Sequence, residues 1–195
     1  MSSRYALDNV RVVDFSTGVA GPYATHLLSD MGADVVKVEP PTGDPLRTWS
    51  ASGCRPAGED GALFTFLNAG KRSVCGGLDE ATVDALVGGA DILIEGGQLP
   101  LTTLDDLRKK QPHLLIVSVT PFGRVGPWAE RPATEFTLQA LCGSTASRGT
   151  TDRPPVAVGG RLGEWIAGTY TAVAALAFLA GGGGDHVDVS TLECM

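Results

Sequence analysis

Residues 10–41 hold the feature that most restricts the fold. Val10 to Phe15, with Val10, Val12, Val13 and Phe15 apolar, reads as a buried strand. Gly18-Val19-Ala20-Gly21-Pro22 then reads as a turn, with Pro22 suited to the first position of a helix. That helix is predicted over about Pro22 to Met31, stopped by Gly32 as the residue that turns left-handed after its end. Val35 to Val38 is a second strand, closed by Glu39-Pro40-Pro41. Strand, glycine turn, helix and strand in this order open a parallel α/β sheet, because only a crossover helix brings the chain back for a parallel neighbour.

The alternation continues along the chain. Asp79 is placed to cap a helix carrying Val83, Leu86 and Val87 that ends at Gly88-Gly89. Ile92 to Ile94 is a short strand. Thr103 is expected to cap a helix through Leu107 that stops before Pro112, and Leu114 to Val119 is a further strand. Residues 120–133 form a Gly/Pro-rich loop with charged side chains, a plausible functional loop. Helices are predicted over 134–142 and 162–180, with Gly181 to Gly184 as a flexible turn and His186 to Ser190 as a last strand. Thr191 to Met195 has the composition of a helix just beginning, so the chain is expected to be a fragment or a subunit completed by another chain. The fold class is therefore α/β: a Rossmann-like parallel sheet with helices on both faces, within one domain over residues 1–195.

Composition excludes several classes. With 43% apolar and 19% charged residues the chain is globular in type. Its formal charge of −7 disfavours nucleic acid as a partner but leaves room for a local anion site. Cys54, Cys75, Cys142 and Cys194 are scattered, as are His26, His113 and His186, so no metal site is expected and reduced thiols in a cytoplasm fit best. The N-terminus does not read as a signal peptide, and Trp165 to Ala180, shorter than the roughly 20 residues of a span, is read as a buried helix rather than a membrane segment. The first turn lacks G-x-G-x-x-G, although Glu39 stands where a ribose-binding acid would, so a nicotinamide or flavin site is disfavoured. Neither G-x-x-x-x-G-K-[ST] nor G-x-S-x-G occurs. His26 falls mid-helix and reads as a packed or surface residue.

Seven segments, in order, carry a resemblance: Val10–Pro22 (VRVVDFSTGVAGP), Leu27–Pro41 (LLSDMGADVVKVEPP), Gly43–Arg47 (GDPLR), Asn68–Ser73 (NAGKRS), Gly123–Pro132 (GRVGPWAERP), Pro155–Gly160 (PVAVGG) and Val187–Glu193 (VDVSTLE). Together they resemble the N-terminal, CoA-binding part of the large domain of class III (CaiB/BaiF-type) CoA-transferases. Full-length members continue into a small domain and a returning C-terminal segment, both expected to be absent here, and form interlaced dimers.

The resemblance implies a substrate rather than a permanent cofactor: CoA or acyl-CoA, with a carboxylic acid as the second reactant. It places CoA contacts at Val19, Ala20, Arg47, Asn68, Lys71, Arg72, Gly96 and Gly97. Lys71 and Arg72 are read either as phosphate ligands or as a solvated surface pair. Family chemistry runs through an aspartate in V-G-x-x-x-x-D-x-x-x-G; here the segment from Val158 to Gly168 puts Glu164 at that place. Glu164 is thus either a nucleophile displaced by one methylene or a helix-N-terminal residue that favours the dipole. The family's G-Y-D or G-H-D triplet is Ala133-Thr134-Glu135, without the histidine a racemase of this superfamily uses as a base. Two functions stay open: a CoA-transferase working through Glu164, as a homodimer, or a non-catalytic CoA-binding half that needs an Asp-bearing partner. No membrane or nucleic-acid partner is expected.

Overall fold

The computed structural model describes residues 5–54, 58–76, 79–182 and 184–195; Met1 to Arg4, and Gly183 within the expected Gly181–Gly184 turn, lie outside them. The elements run β1 (Arg11–Asp14), α1 (Ala20–Asp30), β2 (Asp34–Glu39), a 3-10 turn (Pro45–Arg47), α2 (Ala62–Leu67), β3 (Arg72–Cys75), α3 (Glu80–Val87), β4 (Ile92–Glu95), α4 (Leu101–Lys110), β5 (Leu115–Thr120), α5 (Glu135–Leu141), α6 (Leu162–Ala180), β6 (His186–Ser190) and α7 (Thr191–Cys194). The strands form one sheet in the order β3-β2-β1-β4-β5-β6, and every pairing is parallel.

Alternation along the strands feeds two cores. Val12, Val35, Ile92, Ile94, Leu115 and Val117 face Leu28 of α1 and Ala167 and Ala175 of α6. Val13, Val38, Leu93 and Ile116 face Val83 and Val87 of α3 and Leu104 and Leu107 of α4. Both faces of the central strands are therefore buried, which is why they read as unbroken apolar runs.

Two boundaries differ from the sequence reading, and two elements are additional to it. Helix α1 begins at Ala20, so Pro22 is its third residue; the first-turn N–H groups have no intrahelical acceptor, and proline costs nothing there. Helix α4 begins at Leu101 behind Pro100 rather than at Thr103, which lies inside it. Helix α2 and strand β3 were not expected: α2 is only six residues, and β3 is an edge strand exposed at all four positions, so neither shows a buried period. The Gly32 stop and the Asp79 cap both hold: Gly32 has φ 101°, and the Asp79 carboxylate accepts the Thr82 N–H at 2.7 Å.

Helix α6 is long and apolar enough to cross a membrane by length and composition alone. It is not buried all round. Ala167, Gly168, Thr171, Ala172 and Ala175 face α1 and the sheet, whereas Tyr170, Val173 and Phe178 face outward. The small residues let α1 and α6 approach closely: a Cβ on Gly168 would run into the Ala20 carbonyl oxygen and lie 3.1 Å from the Tyr23 ring. Gly168→Val is expected to destabilise by about 1–3 kcal/mol, read from the denaturant midpoint, because the two helices must part.

Candidate active site

In an open parallel sheet, ligands bind beyond the carboxyl ends of the strands where the order reverses. Here that point lies between β1 and β4. The turn after β1 (Thr17, Gly18, Ala20, Gly21), Gly96 after β4, Thr120 and Pro121 after β5, and Thr191 after β6 meet the starts of α5 and α6 around a cavity of about 430 Å³. Thr134, Glu135, Arg161 and Glu164 complete its polar lining.

Glu164 sits in the first turn of α6, with about one fifth of its side chain exposed. Its Oε2 accepts the Val19 N–H at 2.7 Å. Val19 is the N-cap of α1, so the carboxylate meets an unsatisfied amide and the positive end of that helix. Gly18 makes the contact possible: its φ is 80°, and a Cβ there would sit 3.1 Å from Glu164 Oε2. Glu164 Oε1 accepts from Arg161 Nε and lies 2.7 Å from both Nε and Nη2. Arg161 has φ 60°, the only positive value at a non-glycine among the described residues. The indole of Trp165 packs edge-on against Tyr23 at 4.7 Å and donates to the Gly160 carbonyl at 2.9 Å, bracing the same turn.

Glu135 supports the site from α5. Its Oε1 accepts the Gly163 N–H at 2.7 Å and the Gln139 amide at 2.8 Å, which ties α5 to the start of α6. Gln139, fully buried, also bonds both the N–H and the carbonyl of Val158 at 2.8 Å. Glu135 Oε2 is buried without a hydrogen-bond partner.

The residues expected to contact CoA do not converge on one place. Ala20 and Gly96 line the cavity, and Val19, itself buried, reaches it only through the N–H that it donates to Glu164. Gly97 follows in the turn after β4 with φ 92°, and its N–H is held by Glu95 at 2.6 Å. Lys71 is neither a free phosphate ligand nor a solvated residue. Its side chain is 1% exposed, and its ammonium donates to the Pro22 carbonyl, Thr25 Oγ1 and the Asn68 amide oxygen at 2.7–3.0 Å, with Asp14 at 3.5 Å. Those bonds use all three donors of the ammonium. Burial lowers its pKa to about 8 even though Asp14 beside it favours the charged form. Asn68 is occupied in turn, donating to Phe64 O at 3.0 Å. Arg72 starts β3 and pairs bidentately with Asp34, at the opposite end of the strands from the cavity.

Arg47 pairs with Glu39 at 2.6 and 2.7 Å and with Asp60 at 2.5 Å, and lies over the Phe64 ring. Glu39 is thus spent on Arg47, the Ser73 hydroxyl and the Asp44 N–H rather than on a ribose. The Arg47 hydrogen bonds outweigh burial and hold the Glu39 pKa at about 2 against an ordinary 4.5. A lowered acid pKa adds stability above the unfolded value that is lost as pH falls through the folded one. Up to about 3 kcal/mol is expected to disappear between pH ~4.5 and ~2, and Glu39→Gln to flatten that slope in urea titrations across pH.

Sequence reasoning missed the Arg161–Glu164 pair, although the i,i+3 spacing of opposite charges was there to be read. It also missed the tie from Glu135 to Gly163, which has no local signal. Among the described residues no cluster of three or more His, Cys, Asp or Glu is arranged to hold a metal.

The sequence profile of CoA-transferase family III matches residues 7–195. The chain is similar to a succinate–glutarate CoA-transferase of Agrobacterium fabrum, 34% identical over 204 residues covering 96% of this chain and 51% of the relative. It is similar also to an acetyl-CoA:oxalate CoA-transferase of Acetobacter aceti, 33% identical over 95% of this chain and 51% of the relative. Among solved structures, a CAIB/BAIF family protein from Brucella suis superposes with a TM-score of 0.86 at 33% identity, covering 98% of this chain and 55% of that one. The chain thus spans about half the length of these relatives. The chain belongs to CoA-transferase family III.

Proposed function

We propose that the protein moves CoA between an acyl-CoA thioester and a carboxylic acid, with Glu164 as the carboxylate that carries it. One observation supports this above the others: Glu164 Oε2 rests 2.7 Å from the Val19 N–H at a helix N-terminus, inside the cavity at the switch point. That amide fixes one oxygen, and the other, Oε1, which Arg161 meets, is the nucleophile. Glu164 Oε1 attacks the thioester carbonyl, the C–S bond breaks, and the CoA thiolate leaves a mixed anhydride. The thiolate then adds to the Glu164 carbonyl carbon, with negative charge developing on the oxygen held by Val19 N–H. The anhydride C–O bond breaks, the acid departs with the oxygen that was Oε1, and a glutamyl–CoA thioester remains. The acceptor carboxylate repeats the sequence in reverse, and no net proton is exchanged. The relatives named for glutarate and oxalate make short dicarboxylates the first acceptors to try.

Hydroxylamine added with succinyl-CoA is expected to leave a hydroxamate on Glu164, seen by peptide mass. Turnover with Glu164 unmodified would sink the reading. The engagement of both Glu164 oxygens favours a second reading, a CoA-binding or structural half that acts only beside an Asp-bearing partner. Transfer that appears only on adding such a chain would establish it. The outward face of α6, with Tyr170, Val173 and Phe178 exposed, supports pairing with a second copy or such a half. Free Cys54 and Cys75 at the surface suit a reducing cytoplasm.

A further inference from the structure

Arg161 holds an unusual position for an arginine. It is the N-cap of α6 in the left-handed conformation, which costs on the order of 1 kcal/mol for a residue with a Cβ and persists only where neighbouring structure enforces it. The preceding Gly160 also has positive φ, and two successive left-handed residues turn the guanidinium back over the first turn of its own helix. There it meets Glu164 Oε1 through two nitrogens at 2.7 Å. Among the described residues that line the cavity, Arg161 is the only lysine or arginine. The cavity also holds Glu135, whose Oε2 has no hydrogen-bond partner, so an entering anion meets one cation and two acidic side chains.

We infer that Arg161 is the acceptor-binding residue of this enzyme, held in reserve by Glu164 until Glu164 is converted to its CoA thioester. This rests on the reading of Glu164 as the CoA carrier. The chemistry supplies the switch. In the resting protein the Glu164 carboxylate neutralises Arg161 and leaves nothing to attract a second carboxylate. When the thiolate has displaced the acid, Glu164 is a neutral thioester, its carbonyl oxygen still on the Val19 N–H. The Arg161 guanidinium then lacks its counter-ion and sits beside the carbon that the acceptor must attack. A carboxylate drawn to it arrives at the thioester carbonyl from the side Oε1 occupied. When the acceptor has taken CoA, Glu164 regains its charge and recaptures Arg161, releasing an acyl-CoA that no longer bears the carboxylate Arg161 bound. The same group thus selects carboxylic acids as acceptors and separates the two half-reactions in time.

The test separates those half-reactions in native protein, Arg161→Asn and Arg161→Lys. Asparagine accepts the left-handed turn and removes the charge, and lysine keeps the charge. Thermal melting within a few degrees of native confirms that both fold. With succinyl-CoA as donor, the rate of glutamyl–CoA adduct formation on Glu164 is followed by mass spectrometry. The acceptor KM is measured with glutarate and oxalate. Arg161→Asn is expected to raise the acceptor KM on the order of 10- to 100-fold while adduct formation changes less than about 3-fold. Arg161→Lys, or added guanidinium, is expected to restore part of the loss. An unchanged acceptor KM in Arg161→Asn, or a loss confined to adduct formation, overturns the inference and leaves Glu164 as the carrier. Absence of any adduct on Glu164 in native protein overturns the functional reading and this inference with it.

Discussion

Glu164→Gln is expected to lower CoA transfer by at least on the order of 10³-fold while leaving the fold intact. The glutamine side chain keeps an oxygen for the Val19 N–H and fills the same space, so the start of α6 is undisturbed. What it loses is the anionic oxygen proposed to attack the thioester. Glu164→Asp is the sharper comparison, because it restores the residue of the family pattern. In this chain it is expected to slow transfer by roughly 10²-fold. The carboxylate would retract by about one C–C bond, ~1.5 Å, and leave the Val19 amide that fixes it. The turn at Gly18 is set for the longer side chain, since a Cβ there would lie 3.1 Å from Oε2. Stopped-flow or quenched assays of adduct formation check both variants. An Asp variant faster than native would show that the Val19 contact does not position the carboxylate.

Asp14→Ala is expected to be the most destabilising single change outside the apolar cores, by about 3–5 kcal/mol, measured by urea unfolding. Asp14 is fully buried at the end of β1 and accepts the Ser16 N–H at 2.9 Å, the Ser16 hydroxyl, and Thr25 Oγ1 at 2.6 Å. Lys71 lies 3.5 Å away, and the second buried lysine, Lys37, bonds the Ser16 carbonyl and pairs with Asp44 at 3.1 Å. Burial alone would raise the pKa of Asp14; Lys37 and Lys71 overcome it and hold the carboxyl below its ordinary range. Removing the carboxylate strands a buried ammonium and frees the Ser16 turn that leads to Gly18 and Val19. Asp14→Asn keeps acceptors for Ser16 and Thr25 and is expected to cost less than the alanine, the difference reporting the charge. Both variants are also expected to lose activity, since the amide facing Glu164 belongs to the turn Asp14 shapes.

The sheet was legible because burial on both faces leaves a local record. Val12-Val13, Val35, Ile92–Ile94 and Leu115–Val117 are apolar wherever the two cores need them to be, and Gly32 and Asp79 mark helix ends by conformations or bonds that few other residues provide. The last two strands and helices were equally plain, down to α6 at Leu162–Ala180 and β6 at His186–Ser190. Strand β3 was not, because an exposed edge strand is specified by its neighbour β2 rather than by its own residues. Lys71 and Arg72 show the same division at the level of charge. Adjacent in sequence and alike in type, they diverge completely: one is enclosed by α1 and Asn68, the other lies on the surface with Asp34. Alternate residues of an extended segment point to opposite sides, and nothing in the pair itself says which side is interior. By itself the sequence determined the parallel α/β frame, the glycine turn and the candidate carboxylate at 164. Only the tertiary structure decided that this carboxylate meets the Val19 amide 145 residues away, because that contact depends on α6 lying against α1, and contacts between distant segments leave no periodic trace in the chain.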